Sequence, residues 1–228
     1  MTQKLILLIA FLTFFMIACS PKKVLTDKEK ELVADLGLDL ALMTELRELT
    51  DSAFTKKMSS EYGMENFRDS TNYKSFKKKG LVGIVIEESQ ENASKVVNKL
   101  KDIFSEEGYY IYLSETNYGY SPDKITVLRT DDKFDVLRFE GTNGINYDIY
   151  VEDIIHKLKN WDDKYGLEFT GTGFDFFQAN YRRLPENIQE HAEELYSFCP
   201  DIVDQGVGSI SALKQEIERS NELYLWWD

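Results

Sequence analysis

The stretch LVGIVIEESQENASKVVNKLKDIFSEEGYYIYL, residues 81–113, decides the fold. Leu81 to Glu87 is rich in β-branched residues and reads as a strand. Over residues 91–107, Ala93, Val96, Val97, Leu100, Ile103 and Phe104 recur at helical spacing and make one apolar stripe. Gly108 ends that helix, because glycine enters the left-handed conformation without steric cost. Tyr109 to Leu113 is a second strand. A strand, an amphipathic helix and a strand in direct succession predict a sheet with a helix laid across it.

Toward the C-terminus the same grammar continues. Asn117, Gly119, Ser121 and Pro122 supply a turn before a third strand, Ile125 to Arg129. Ile154, Ile155, Leu158, Trp161 and Tyr165 mark a helix from about Val151 to Tyr165, closed by Gly166. Leu167 to Thr170 and Phe174 to Tyr181 read as a strand pair around Gly171-Thr172-Gly173. Pro185 suits the first turn of a helix running to about Phe198, with Ile188, Ala192 and Leu195 inward. Ser209 or Ser211 caps a last helix carrying Ile210, Leu213 and Ile217, and Glu222 to Trp227 is the closing strand. The order βαββ, then αββααβ, predicts an α+β fold: a two-layer sandwich with a mixed or antiparallel sheet and helices packed mainly on one face.

Toward the N-terminus the pattern is thinner. Thr26-Asp27-Lys28-Glu29 has the form of a capping box, and Leu32, Val33 and Leu36 follow at helical spacing up to Gly37. A second helix is expected from about Asp39 to Thr55, on Leu42, Leu46, Leu49 and Ala53. From Lys56 to Gly80 the chain is polar and irregular, and ends in Lys77-Lys78-Lys79.

Charge divides the chain at the same place. Residues 19–80 hold 12 Lys/Arg and 11 Asp/Glu, whereas residues 81–228 hold 14 and 29, a net −15. The expected organisation is therefore a leader over 1–18, a tether with two short helices and a polar linker over 19–80, and an acidic body over 81–228. A body of that charge repels phosphate backbones, so no nucleic-acid partner is expected; a basic protein suits it better.

Location is read from the first twenty residues. Leu5 to Ile17 is a run of 13 residues with only Thr13 polar, preceded by Lys4. A bilayer-spanning helix needs about 20 apolar residues, whereas a signal-peptide apolar region needs about 7–15. Met16, Ile17, Ala18 and Cys19 resemble the bacterial lipoprotein signal. That resemblance implies cleavage before Cys19, acylation of its thiol with palmitate-type chains, and a membrane held through that anchor. Ser20 in place of Asp implies, on the same resemblance, the outer membrane of the cell envelope. With Cys19 acylated, Cys199 has no partner for a disulfide.

The second half carries longer motifs. LRTDDKFDVLRFEGTNGINYDI, FCPDIVDQGVG and the terminal LYLWWD resemble a bacterial family of uncharacterised domains, domain-of-unknown-function family 4253, over roughly Leu128 to Asp228. The family implies no activity, cofactor or catalytic residue. It places Asn143-Gly144, Tyr147-Asp148, Cys199-Pro200-Asp201, Asp204-Gln205-Gly206 and Trp226-Trp227 in its shared pattern.

Chemistry is harder to find. Cys199 needs a base, but His191 lies eight residues earlier on the same helix, about 12 Å along its axis. His156 reads as a boundary or solvent-face histidine. Gly206-Val207-Gly208-Ser209 precedes a helix and has the form of an anion cradle. Asp201 and Asp204 oppose that use, since two like charges 6 Å apart cost roughly 3 kcal/mol at an effective dielectric of 20. The candidate binding residues are Tyr147, Asp148, Asp201, Asp204, Gln205, Gly206 and Trp226, with Cys19 as the lipidation site. Catalytic residues and metal ligands stay unassigned, and no cofactor is expected. The leading expectation is a non-enzymatic, lipid-anchored envelope protein that binds a partner, in one version as an immunity-like inhibitor of a basic protein. The alternative is an envelope hydrolase, with or without metal assistance, which requires Asp148, Asp201 and Asp204 to converge in one cleft. A third option, a small-molecule or sugar binder, requires an open pocket with aromatic walls.

Overall fold

A computed structural model describes residues 23–60 and 67–228. The apolar run from Leu5 to Ile17 and the acylation site Cys19 lie outside the described residues. Among the described residues no helix is long and apolar enough to cross a membrane.

The chain runs α1 (Asp27–Asp35), α2 (Leu40–Leu49), β1 (Thr55–Met58), α3 (Ser70–Lys77), β2 (Val82–Glu88), α4 (Gln90–Glu106), β3 (Tyr109–Glu115), β4 (Asp123–Arg129) and α5 (Asp135–Glu140). It continues through α6 (Val151–Tyr165), β5 (Leu167–Thr172), β6 (Phe176–Tyr181), α7 (Ile188–Phe198), α8 (Ile210–Ser220) and β7 (Glu222–Trp226). A 3-10 turn, Ile145–Tyr147, precedes α6, and a π-helical turn, Ile202–Val207, separates α7 from α8. The strands form one sheet in the order β1-β2-β4-β3-β5-β6-β7. Every neighbouring pair is antiparallel except β3 and β5, which run parallel and meet at Leu113 and Gly171. The fold is thus α+β on an open mixed sheet.

Both faces of this sheet are used. Along β3, Ile111 and Leu113 enter one buried cluster and Tyr112 enters the other; along β4, Val127 and Leu128 divide in the same way. Successive side chains on a strand point to opposite faces, so the two clusters lie on opposite sides of the sheet. One holds the apolar stripe of α4 (Ala93, Val96, Val97, Leu100, Phe104) with Val33 of α1 and Leu42, Met43 and Leu46 of α2. The other holds α5 to α8 against Phe169 of β5, Phe177 and Ala179 of β6, and Leu223 and Leu225 of β7. β5, β6 and β7 bury Phe169, Phe177 and Leu225 with α5 to α8, whereas β3 and β4 contribute side chains to both clusters. Burying each such side chain contributes about 1.5–3 kcal/mol.

The compositional boundary at residue 80 is not a structural one. β1 pairs with β2 as an edge strand, from Thr55 opposite Val85 to Met58 opposite Val82. α1 and α2 share the core of α4. The capping box of α1 forms as its sequence predicts, with Thr26 N donating to Glu29 Oε2 at 2.9 Å. Glu29 also receives Arg47 of α2 and the Phe54 amide, so the cap doubles as a buried tie between elements. Thus the polar stretch after Lys56 contains β1 and α3, whose few apolar residues carry no clear period. α2 stops at Leu49, and the hairpin loop falls at Gly173–Asp175. α7 starts at Ile188 because Asn187, not Pro185, caps it.

Candidate functional site

Three of the sequence-chosen residues, Tyr147, Asp201 and Gln205, meet around one carboxylate, that of Asp201. Asp201 opens the π-helical turn and is buried. Its Oδ1 accepts from Tyr147 Oη at 2.5 Å and from Gln205 Nε2 at 2.9 Å, and its Oδ2 accepts from the Asp228 amide at 2.9 Å. Burial works against the charge on Asp201, but these three donors outweigh it and hold the carboxyl below its usual range. The same bond pushes the Tyr147 hydroxyl up to about 12. Asp148, in the left-handed conformation, is exposed and lies beside Arg68. Asp204 is exposed and accepts from Tyr196 Oη at 3.1 Å, and Gly206 is exposed on the turn. The three aspartates therefore have separate partners, and among the described residues no three of His, Cys, Asp or Glu are placed to hold a metal ion.

His191 and Cys199 are likewise apart in role. Cys199 is buried, with Sγ 2.9 Å from Trp226 O, and burial pushes its thiol up to about 12. His191 accepts or donates at Nε2 with Tyr181 Oη at 2.8 Å, and His156 faces solvent. Ser209 caps α8 through the Ala212 amide, so the glycine turn before it serves a helix start.

A larger feature was not foreseen residue by residue. Where β3 meets β5, a cleft of about 920 Å³ opens between the halves of the sheet. Its lining includes Lys57 and Met58 of β1, Ser114 and Glu115 of β3, and Glu140 at the end of α5. Phe174, Asp175, Phe176, Tyr224 and Trp226 line it as well, together with Tyr118. Met58, Tyr118 and Phe174 are 58%, 65% and 49% exposed, so the cleft is open to solvent. Glycine makes room for it: a Cβ at Gly173 would fall 2.3 Å from the Phe176 ring, which lies against the turn. Of the residues singled out from sequence, Trp226 lines this cleft, while Trp227 packs inward at 3% exposure, as their alternation requires.

The inner end of the cleft is a polar network. Lys57 Nζ donates to both oxygens of Glu140 at 2.8 Å and to Thr126 Oγ1 at 3.0 Å. Tyr112 Oη donates to Glu140 Oε1 at 2.8 Å. Burial raises the Glu140 carboxyl above its usual range despite Lys57 and Tyr112, and Tyr112 is pushed far up by burial and by the carboxylate. Near the outer end, burial and the neighbouring Asp228 charge raise Asp175. No local pattern announces these groups: Lys57 sits in a polar stretch, and Glu140 in a six-residue helix too short to show a period. Phe174-Asp175-Phe176 after a glycine turn is the one visible signal, an acid between two aromatic residues.

Fold and site together define an α+β domain with an open mixed sheet and an aromatic, acid-bearing cleft at the parallel junction of β3 and β5. Residues 124–228 match the family model described as Domain of unknown function (DUF4253). No curated protein and no solved structure matches the chain. The matched span runs from β4 to the C-terminus and contributes Glu140, Asp175, Phe176, Tyr224 and Trp226 to the cleft; Lys57, Met58 and Ser114 come from the preceding segment.

Proposed function

We propose that the chain is a bacterial cell-envelope lipoprotein, held at the outer membrane by acylated Cys19, whose acidic α+β body binds a partner in the cleft. The observation that carries this reading is the open cleft with aromatic walls, which gives the body a place to receive a ligand. The 13-residue apolar run ending at Ala18-Cys19 supports the anchor, and the net −15 of residues 81–228 supports a basic partner, in one version a protein that this chain inhibits.

Metabolic labelling with a fatty-acid analogue tests the anchor. The native chain takes label and Cys19→Ala does not; an unlabelled native chain overturns the envelope reading. The partner is tested by low-salt pull-down from envelope extract. Native chain recovers a basic protein that raised salt releases, and Trp226→Ala loses it. Recovery of nothing at low salt overturns this part.

A further inference from the structure

The charges lining the cleft do not cancel. Lys57 is bound to Glu140 and Lys124 to Glu115, at 2.8 and 2.6 Å. Asp175 remains, and among the described residues no Lys, Arg or His pairs with it. The groups that favour its charge, its own amide and the Trp226 side chain, are neutral. The lining therefore holds two cations and three carboxylates, and the odd negative charge sits in a half-buried position where water screens it less.

Aromatic surface surrounds that charge. The Phe176 and Tyr224 rings lie nearly parallel, 27° apart with centroids at 6.4 Å. Trp226 is directly cross-strand from Phe176. Tyr118 and Tyr224 join through their hydroxyls at 3.1 Å, which ties the rim to the wall. The face of an aromatic ring attracts cations, most strongly for Trp. An anion would meet the unpaired carboxylate here. A neutral polyol would leave that charge desolvated without a counter-ion.

We propose that the cleft receives an ammonium group, primary or methylated, on an apolar stem, with Asp175 as its counter-ion and Phe176, Tyr224 and Trp226 as its wall. This deepens the binding reading above and does not depend on the anchor. The same chemistry is offered by a free amine and by a lysine side chain of a basic protein.

The test uses the full-length chain in nonionic detergent, with the Trp226 indole N–H resonance as reporter. The probes are choline and its neutral carbon isostere, 3,3-dimethylbutan-1-ol. Choline is expected to bind at least tenfold more tightly than the isostere. Asp175→Asn, which keeps an acceptor for Trp226, is expected to weaken choline at least fivefold and leave the isostere unchanged. Tyr224→Leu is expected to weaken both, with unchanged thermal unfolding confirming that each variant folds. Equal binding of the two probes, or indifference of choline to Asp175→Asn, overturns the proposal. Two further arms, n-butylamine and an Ala-Lys-Ala peptide with blocked ends, separate the sources. Tighter peptide binding assigns a lysine of a partner protein and tighter butylamine binding assigns a free amine, either in support; no shift with any amine overturns the proposal. A native chain that takes no acyl label would remove the envelope reading and leave these binding results standing.

Discussion

Tyr147 Oη donates to Asp201 Oδ1 at 2.5 Å across 54 positions of sequence. With the Asp228 amide on Oδ2, this one carboxylate ties the 3-10 turn, the π-helical turn and the C-terminus together. Hydrogen bonds to a charged group contribute about 1.5–3 kcal/mol each, and Asp201→Ala is expected to cost about 2 kcal/mol in urea unfolding. Tyr147→Phe should cost less than Asp201→Ala, because the Asp228 amide and Gln205 remain. The Asp201 carboxyl is depressed in the fold, so its contribution is present above the ordinary carboxylate range and lost as pH falls through its lowered value. Urea midpoints of native chain and Asp201→Asn should converge under strong acid; a constant gap would contradict the assignment.

His191 is packed against Trp161, Tyr165 and Tyr181, with its Nδ1 3.7 Å from Glu194. Burial, only partly opposed by Glu194, pushes its imidazole down to about 4. The unfolded chain thus takes up a proton near 6.5 that the folded one refuses until about 4. Stability is expected to fall as pH drops through that window, by at most about 3 kcal/mol. In His191→Gln that share of the slope should vanish. Imidazole NMR should show His191 neutral at pH 5.5; a charged ring there would contradict this.

The Cys199 thiol, at about 12, is neutral and buried. Iodoacetamide at pH 8 should leave the Cys199 peptide unmodified in the folded chain and alkylate it fully in guanidinium, as read by mass spectrometry. Rapid modification of the native chain would return Cys199 to the list of nucleophiles.

Lys57 is the counter-charge of a carboxylate only 8% exposed. Removing one partner of a buried pair costs about 3–5 kcal/mol. Lys57→Met should therefore destabilise by about 3 kcal/mol, and adding Glu140→Gln should recover most of it. Additive losses in the double variant would show that the pair is not coupled.

Gly144 has no room for a side chain. A Cβ there would lie 2.7 Å from Cδ1 of the buried Trp227 ring. Overpacking of a core costs about 1–3 kcal/mol, so Gly144→Ala should lower the unfolding midpoint by that amount, and Gly144→Ala/Trp227→Leu should suffer less from the added methyl. An unchanged midpoint in Gly144→Ala would place Trp227 elsewhere.

Much of the local structure was legible from residues. The α4 stripe, the glycine at 108 and the Thr26 box are signals written within one or two helical turns, and each element formed where it pointed. The elements missed, β1, α3 and α5, have 4, 8 and 6 residues and too few apolar positions to show a period. Their placement is decided by what they pack on: β1 by the open edge of β2, and α5 by the floor beneath Tyr112. Of the candidate site, Tyr147, Asp201 and Gln205 were named and do meet, and Trp226 was named and lines the cleft.

By itself, the sequence determined where the strongly periodic helices and strands lie, the α+β class, and the uneven charge, because capping, periodicity and composition are properties of neighbours along the chain. Tertiary structure alone decided which face each helix covers, the parallel meeting of Leu113 with Gly171, and the cleft that Lys57, Glu140 and Asp175 share. Those depend on register and burial between segments far apart in sequence, and a periodic pattern carries no record of which distant partner will cover it.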